Sequence, residues 1–157
     1  MRIQPVETPG QVAEVRRLFE EYWAAFGFTP CFQNFDAELA GLPGKYAPPQ
    51  GRLALALVDD VPAGCIALRP ADSSRAEAKR LYVRPEFRGH GVGRALMEWI
   101  ISEARAAGYR ELVGDTLPVM QTALDMYDRM GFERSQSDSE TIYLRLPLCT
   151  KRSSIST

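Results

Sequence analysis

The chain of 157 residues is 45% hydrophobic and 25% charged, a length and composition typical of one globular domain. Its 19 Lys and Arg residues against 20 Asp and Glu residues give a net charge of −1, which argues against nucleic acid as the main partner because that binding depends on summed positive charge. Its three scattered cysteines and single histidine match neither a disulfide framework nor a metal site, so the sequence predicts a protein that carries no metal. It shows neither an apolar leader nor an apolar run long enough to span a membrane, and we therefore expect a cytoplasmic protein that enters no membrane.

The hydrophobic pattern switches between strand and helix spacing along the chain, without an internal repeat. Thr8, Pro9 and Gln11 have the order of a capping-box helix start, and apolar residues follow at helical intervals. In chain order the predicted elements are a strand at 2–6, helices at 9–26 and 36–40, strands at 52–58, 64–69 and 77–83, a helix at 92–107, a strand at 111–117, a helix at 119–130, and strands at 132–137 and 141–148.

The strand at 77–83 leads through a glycine-rich loop and a helix into the strand at 111–117. This strand–helix–strand run indicates a parallel βαβ unit with a right-handed crossover. In its first strand, simple alternation predicts one face made of Glu77, Lys79, Leu81 and Val83 and the other of Ala78, Arg80 and Tyr82.

The glycine-rich loop at 88–94 reads RGHGVGR. Glycines tolerate positive φ and admit a ligand close to the backbone, and the first amides of the following helix attract anions, so the loop predicts a phosphate site. A plain glycine-rich turn before a surface helix is the alternative. The dinucleotide fingerprint G-x-G-x-x-G is excluded because Arg94 replaces its third glycine, and no mononucleotide P-loop occurs.

At this point the residues resemble a known family. Residues 88–93 match the acyl-CoA motif Q/R-x-x-G-x-G/A of the GNAT N-acetyltransferase superfamily, and residues 123–132, ALDMYDRMGF, resemble its later A-x-x-x-Y-x-x-x-G-F block. The resemblance covers about 52–148. It implies an α/β (α+β) single domain at 1–149, with a mixed, mostly antiparallel sheet that splays in a V between the 77–83 and 111–117 strands, about four flanking helices, and a polar tail at 150–157.

The resemblance also implies acetyl-CoA as cosubstrate, lying in the splay. Open sheets place ligands outside the carboxyl ends of their strands, which agrees. The implied cofactor-binding residues are Leu81, Tyr82, Val83, Arg88, Gly89, His90, Gly91, Val92, Gly93, Arg94, Thr116, Ala123 and Tyr127. One departure is Met120, where the family often has an Asn that contacts the cofactor arm; Thr116 or Thr122 would then take over that contact.

Acetyl transfer to an amine needs a neutral amine and a proton for the leaving thiolate. Glu77 opens the strand beside the implied site and is the candidate general base; its structural alternative is a solvated glutamate paired with Lys79 or Arg75. Tyr127 matches the family's general acid, and its alternative is a core tyrosine. Backbone amides near Val83 would contact the oxyanion, as the resemblance implies.

The implied acceptor is a small-molecule amine, bounded by the first helix and the connection that follows it. Its pocket could be walled by Phe28, Phe32, Phe35 and Tyr46, which could equally cover the core. Arg69 and Arg80 are candidates to hold an acceptor carboxylate. A non-catalytic acyl-CoA sensor module and a protein or peptide N-acetyltransferase are the alternative functions. A homodimer is left open by the sequence.

Overall fold

The computed structural model describes residues 1–25, 35–116, 121–137 and 142–148. The strands of this part of the chain are β1 Arg2–Pro5, β2 Arg52–Val58, β3 Val61–Pro70, β4 Arg75–Val83, β5 Glu111–Thr116, β6 Glu133–Ser137 and β7 Ile142–Pro147. Its α-helices are α1 Pro9–Ala25, α2 Phe35–Ala40, α3 Val92–Ala106 and α4 Gln121–Arg129, and short 3-10 turns lie at Gly44–Tyr46 and Pro85–Phe87.

The strands form one mixed sheet in the order β1-β2-β3-β4-β5-β7-β6. All neighbouring strands are antiparallel except β4 and β5, which are parallel. The parallel pairing runs only from Arg75 opposite Glu111 to Glu77 opposite Val113, after which the two strands separate. The predicted mixed sheet with a V-shaped splay is therefore confirmed.

The sheet carries a hydrophobic core on each face. One face is covered by α3 and α4. The side chains that α3 buries there are Val92, Leu96, Met97, Ile100, Ile101 and Ala104. On the other face, under α1 and α2, the buried side chains of α1 are Val15, Leu18, Phe19 and Trp23. Both sets recur at helical spacing, so each helix buries one apolar stripe. The start of α1 is the predicted capping box: Thr8 Oγ1 accepts from the Gln11 amide at 3.2 Å, and Gln11 Oε1 accepts from the Thr8 amide at 3.0 Å.

The β2–β3 hairpin is longer than the sequence prediction. Its turn is only Asp59 and Asp60, with φ of 51° and 65°, the positive values that a tight two-residue hairpin turn requires. The sequence predicted strands at 52–58 and 64–69 with residues 59–63 between them, whereas in the structure residues 61–63 belong to β3. Pro62 is tolerated in the strand because it pairs with β2 alone, whereas the pairing of β3 with β4 starts at Gly64.

The predicted side-chain faces of β4 are wrong because the strand contains a bulge. Cys65 pairs with Tyr82 and Ala67 with Lys79, so the single residue between them on β3 opposes both Arg80 and Leu81. Arg80 has φ of +61°. The extra residue shifts the alternation: the α3 face receives Ala76, Ala78, Leu81 and Val83, and the α1 face receives Glu77, Lys79, Arg80 and Tyr82.

Candidate active site

The glycine-rich loop ends in an uncapped helix N-terminus beside the splay. Gly91 is the N-cap residue of α3, with φ of 82°, and no side chain caps the helix there. The Ala95 amide donates to the Gly91 carbonyl at 3.0 Å, so the amides of the three residues between them precede the intrahelical ladder. A Cβ built on Gly91 would meet no protein atom within 4 Å. Backbone donors and open space therefore coincide at this point, as an anion site requires.

Gly93 serves packing, unlike Gly91. A Cβ there would lie 3.6 Å from Val83 Cγ2 and 4.0 Å from Met126 Sδ, so this glycine sits in the seam between β4 and α4. A third glycine, Gly89, has φ of 83° and shapes the turn itself. The flanking arginines differ as well: Arg88 Nε donates to the Val83 carbonyl at 2.9 Å, whereas Arg94 forms an exposed salt bridge of 3.1 Å along α3. His90 is exposed in the loop.

An open cleft lies where β4 and β5 separate. Its lining residues are Ala78, Met97, Val113, Gly114, Asp115, Tyr127, Phe132 and Leu144. A Cβ on Gly114 would lie 3.6 Å from the Ala78 carbonyl oxygen, so the missing side chain keeps the cleft open near its base. Beyond Glu77, β4 no longer pairs with β5, so its backbone has no partner strand on that edge, and the Val83 carbonyl accepts from Arg88 instead.

Tyr127 is fixed by the end of its helix. Gly131, with φ of 95°, closes α4 in a Schellman motif: the Phe132 amide donates to the Tyr127 carbonyl at 3.0 Å and the Gly131 amide to the Asp128 carbonyl at 3.2 Å. The Phe132 ring packs on the Tyr127 ring with 5.4 Å between centroids. The Y-x-x-x-G-F spacing thus places a brace against the phenol.

Burial raises the pKa of the Tyr127 phenol well above its usual range, and the nearby Tyr22 and Asp115 raise it further. The phenol therefore keeps its proton at neutral pH. Ala123, one turn earlier on α4, is half-buried beside it. Thr116 ends β5, and its side chain lies outside the described residues, as do Leu117 to Met120.

Glu77 is held by two cations on the α1 face of β4. Its partner across the β3–β4 ladder is Arg69, whose Nε donates to Glu77 Oε1 at 3.0 Å. Lys79 Nζ lies 3.9 Å from the other carboxylate oxygen. Arg75, the other partner considered from the sequence, pairs with Asp72 instead. Glu77 is thus a half-buried, paired carboxylate rather than a solvated one.

The structure contradicts the expected acceptor contact of Arg80, because an internal carboxylate already binds its buried guanidinium at two points, whereas Arg69 donates to a carboxylate through Nε alone. Arg69 binds Glu77, and Arg80 binds Glu38 through two hydrogen bonds of 2.9 Å. Of the four aromatic residues considered for the acceptor pocket, the two that the structure describes follow the alternative in which they cover the core. Phe35 and Tyr46 are 2% and 3% exposed and belong to the core under α1. Phe28 and Phe32 lie outside the described residues.

Sequence reasoning missed two charged residues at the mouth of the splay. The parallel register pairs Glu77 with Val113, so alternation places Lys79 and Asp115, two residues further along each strand, on the same face. Burial lowers the pKa of the Lys79 ammonium, and the charges of Asp115 and Glu77 partly offset that effect. Asp115 is exposed, and no hydrogen bond or salt bridge to its carboxylate occurs within the described part of the chain. Continuing the parallel register by one step would have found this pair.

Among the described residues, no group of three His, Cys, Asp or Glu side chains could hold a metal ion. No helix in the same ranges is both long and apolar enough to cross a bilayer.

Solved acetyltransferase structures share the fold of this chain. The sequence model of the acetyltransferase (GNAT) family matches residues 12–132. The chain is 35% identical over 153 residues to an uncharacterised N-acetyltransferase of Schizosaccharomyces pombe, and the alignment covers 93% of this chain and 94% of that protein. It is 36% identical over 128 residues to an IAA acetyltransferase of Azospirillum brasilense, covering 80% of each.

A Salmonella typhimurium structure determined with its cofactor acetyl-CoA shares the fold with a TM-score of 0.75, at 17% identity and with 94% and 93% of the two chains covered. The chain therefore belongs to the GNAT acetyltransferase family, which confirms the resemblance in its sequence.

Proposed function

We propose that this protein is a cytoplasmic N-acetyltransferase that moves the acetyl group of acetyl-CoA to the amine of a small molecule, by direct attack in a ternary complex. One observation carries the proposal: the cleft between β4 and β5 has the uncapped N-terminus of α3 beside it and the braced phenol of Tyr127 in its wall. This arrangement offers an anion site and a proton donor to a single ligand.

Acetyl-CoA would extend from the glycine-rich loop into the cleft. The amides of Val92, Gly93 and Arg94 would bind the pyrophosphate, with Arg88, Gly89, His90 and Gly91 forming the loop around it. The pantetheine arm would run along the edge of β4 at Leu81, Tyr82 and Val83, where β5 has separated and the backbone has no partner strand on that edge. Ala123, which is small, leaves room on α4, and Thr116 would bound the arm at the end of β5.

The chemistry would be attack of a neutral amine on the thioester carbonyl, which forms the C–N bond. The tetrahedral intermediate would then break its C–S bond and give an amide and a thiolate, while the nitrogen loses one proton to the carboxylate base or to water. Tyr127 would donate its proton to the departing sulfur, a role that requires the phenol to be protonated at neutral pH. A backbone amide of β4 near Val83 would stabilise the oxyanion. Fixing the phenol by Phe132 matters because a proton donor acts only from the correct position.

Glu77 is the first candidate for the base, and Asp115 is the second. Two cations, Arg69 and Lys79, already pair with the Glu77 carboxylate on the α1 face of β4. Asp115 lines the same cleft as Tyr127 and forms no such salt bridge among the described residues. This favours Asp115 as the group that takes the proton from the acceptor's ammonium. The two assignments predict different pH profiles for the two variants.

The proposed small-molecule acceptor is supported by the name of the Azospirillum brasilense relative, an IAA acetyltransferase. The experiment is a free-thiol assay with acetyl-CoA against a panel of small amines, with unlabelled peptides as a second panel. Thiol release that depends on a small amine supports the proposal. Release with peptides alone would favour a peptide acetyltransferase, and binding of acetyl-CoA without any acceptor-dependent release would favour a sensor module.

A further inference from the structure

Arg80 occupies an unusual backbone position for its residue type. It is the extra residue of the β4 bulge, and its φ of +61° lies in the left-handed region that a residue with a long side chain rarely adopts. Such a conformation persists only where the surroundings determine it, and it is concentrated at functional sites. The bulge lies directly after the point where β4 leaves β5, at the edge that faces the cleft.

The contacts of the Arg80 side chain hold the residue in this conformation. Its guanidinium donates two hydrogen bonds of 2.9 Å to the two carboxylate oxygens of Glu38 on α2. The same guanidinium lies 5.0 Å from the ring centre of Trp23 and 5.6 Å from that of Phe35, and these two rings stack at 4.1 Å. With only 7% of Arg80 exposed, this is a buried bidentate ion pair inside an aromatic box.

This side chain joins two parts of the molecule that are far apart in sequence. Phe35 and Glu38 stand three residues apart on α2, so both contact Arg80 from one helix face. The helix is short, with six residues, and a short helix depends on tertiary contacts for its stability. The Arg80–Glu38 pair therefore links the bulge at the cleft edge to the helix on the acceptor side of the sheet.

We infer that Arg80 is a positioning residue: its ion pair with Glu38 holds the β4 bulge in the conformation that directs the backbone of β4 at the acetyl group. The same ion pair holds α2 on the acceptor side of the sheet. The inference rests on the proposed function for its catalytic consequence. Neither residue needs to touch acetyl-CoA. A merely structural pair would change stability alone, whereas a positioning pair changes the rate per folded molecule.

The fold offers a control ion pair at the end of the same strand. Arg84, just after β4, donates to both carboxylate oxygens of Glu21 on α1, at 2.9 and 2.8 Å. Arg84 has an ordinary φ of −59°. Glu21→Gln therefore weakens a bidentate ion pair of similar geometry whose arginine lies outside the bulge. Glu21 Oε1 also accepts from Tyr82 Oη at 3.4 Å, and the side-chain oxygen of a glutamine can still accept that bond. Glu38→Gln makes the identical chemical change at the pair that contacts it.

The experiment measures Glu38→Gln and Glu21→Gln side by side, as full-length proteins. Hydrogen–deuterium exchange is followed in peptides that span Arg75–Val83, and turnover is followed by thiol release with an amine that the wild type accepts. We expect Glu38→Gln to speed exchange at the bulge and to lower kcat by about tenfold or more, because small displacements at a reacting centre are costly. Affinity for CoA should stay within about threefold of wild type, since the phosphate loop is untouched. Glu21→Gln should change neither bulge exchange nor kcat.

Equal exchange and equal kcat in the two variants would overturn the inference. A second variant, Arg80→Gly, covers the case in which Glu38→Gln does not fold, because glycine accepts the left-handed backbone while removing the guanidinium. Wild-type kcat and exchange in Arg80→Gly would mean that only the backbone conformation matters, and would also overturn it. If the wild type transfers no acetyl group to any amine, the proposed function fails, and the exchange comparison still decides whether the pair holds the bulge.

Discussion

Two glycines at opposite ends of α3 allow the phosphate-site proposal to be tested with its own control. Gly91 precedes the helix with φ of 82°, and Gly108 follows it with φ of 92°. A Cβ on either glycine would meet no protein atom within 4 Å. Gly91→Ala and Gly108→Ala therefore impose the same backbone strain with no steric clash, but only Gly91 lies at the proposed pyrophosphate site.

The expected stability cost is the same for both variants. Alanine in the left-handed region costs about 1–2 kcal/mol relative to an ordinary conformation. For a domain of this size that corresponds to a fall in Tm of about 2–8 °C. The binding effect should differ, because a methyl group at Gly91 would stand where the phosphates approach the backbone. Losing one charge-assisted hydrogen bond costs about 1.5–3 kcal/mol, which is about a tenfold to hundredfold loss of CoA affinity.

Isothermal titration calorimetry with CoA on both variants and the wild type measures that difference. We expect weakened binding for Gly91→Ala, unchanged binding for Gly108→Ala, and similar Tm values for the two by differential scanning calorimetry. If both variants bind CoA as tightly as the wild type, the phosphate-cradle reasoning is refuted. Equal weakening in both would assign the loss to the helix as a whole and refute it as well.

Three further predictions concern the cleft. Tyr127→Phe should lower the single-turnover rate by about 10²-fold with little change in acetyl-CoA affinity, because only the hydroxyl is deleted. Burial raises the pKa of the Tyr127 phenol, so above a pH of about 10 the unfolded state loses this proton first and the stability of the wild type should fall. In urea denaturation, the free energy of unfolding of Tyr127→Phe should therefore fall less steeply with pH, by up to about 1.4 kcal/mol per pH unit. Phe132→Ala should cost about 3–5 kcal/mol in urea denaturation, since the 7%-exposed ring leaves a cavity beside Tyr127. Profiles of kcat/KM against pH for Glu77→Gln and Asp115→Asn should identify the base. The variant that lacks the essential carboxylate should lose most activity near neutrality and least at high pH, where more of the amine is already neutral. An unchanged profile in both variants would contradict the hypothesis of a carboxylate base.

The features that the sequence predicted are those set by neighbouring residues in the chain. The capping box at Thr8 is local, as is the helix end at Gly131, where Phe132 contacts the residue five positions earlier. The glycine-capped start of α3 is local too. The loop and the Y-x-x-x-G-F block carried the family resemblance that implied the fold, and they also predicted the ends of the elements that line the cleft.

The features that the sequence missed depend on a partner strand or helix. The β4 bulge exists because a single residue of β3 opposes Arg80 and Leu81, which simple alternation within β4 does not register. The partner of Glu77 is set by the same ladder, and Glu38 reaches Arg80 from 42 residues away. A polar side chain that looked available to a ligand in the sequence was thus already engaged by a distant part of the chain.

The central claim, acetyl transfer from acetyl-CoA to a small amine in this cleft, is tested most directly by mass spectrometry of the acceptor. Isotopically labelled acetyl-CoA is incubated with the amine panel and with wild type, Tyr127→Phe or Gly91→Ala. The account predicts a labelled N-acetyl product with the wild type, whose initial rate of formation falls sharply in both variants. Tight binding of acetyl-CoA by the wild type with no labelled product from any amine would contradict it.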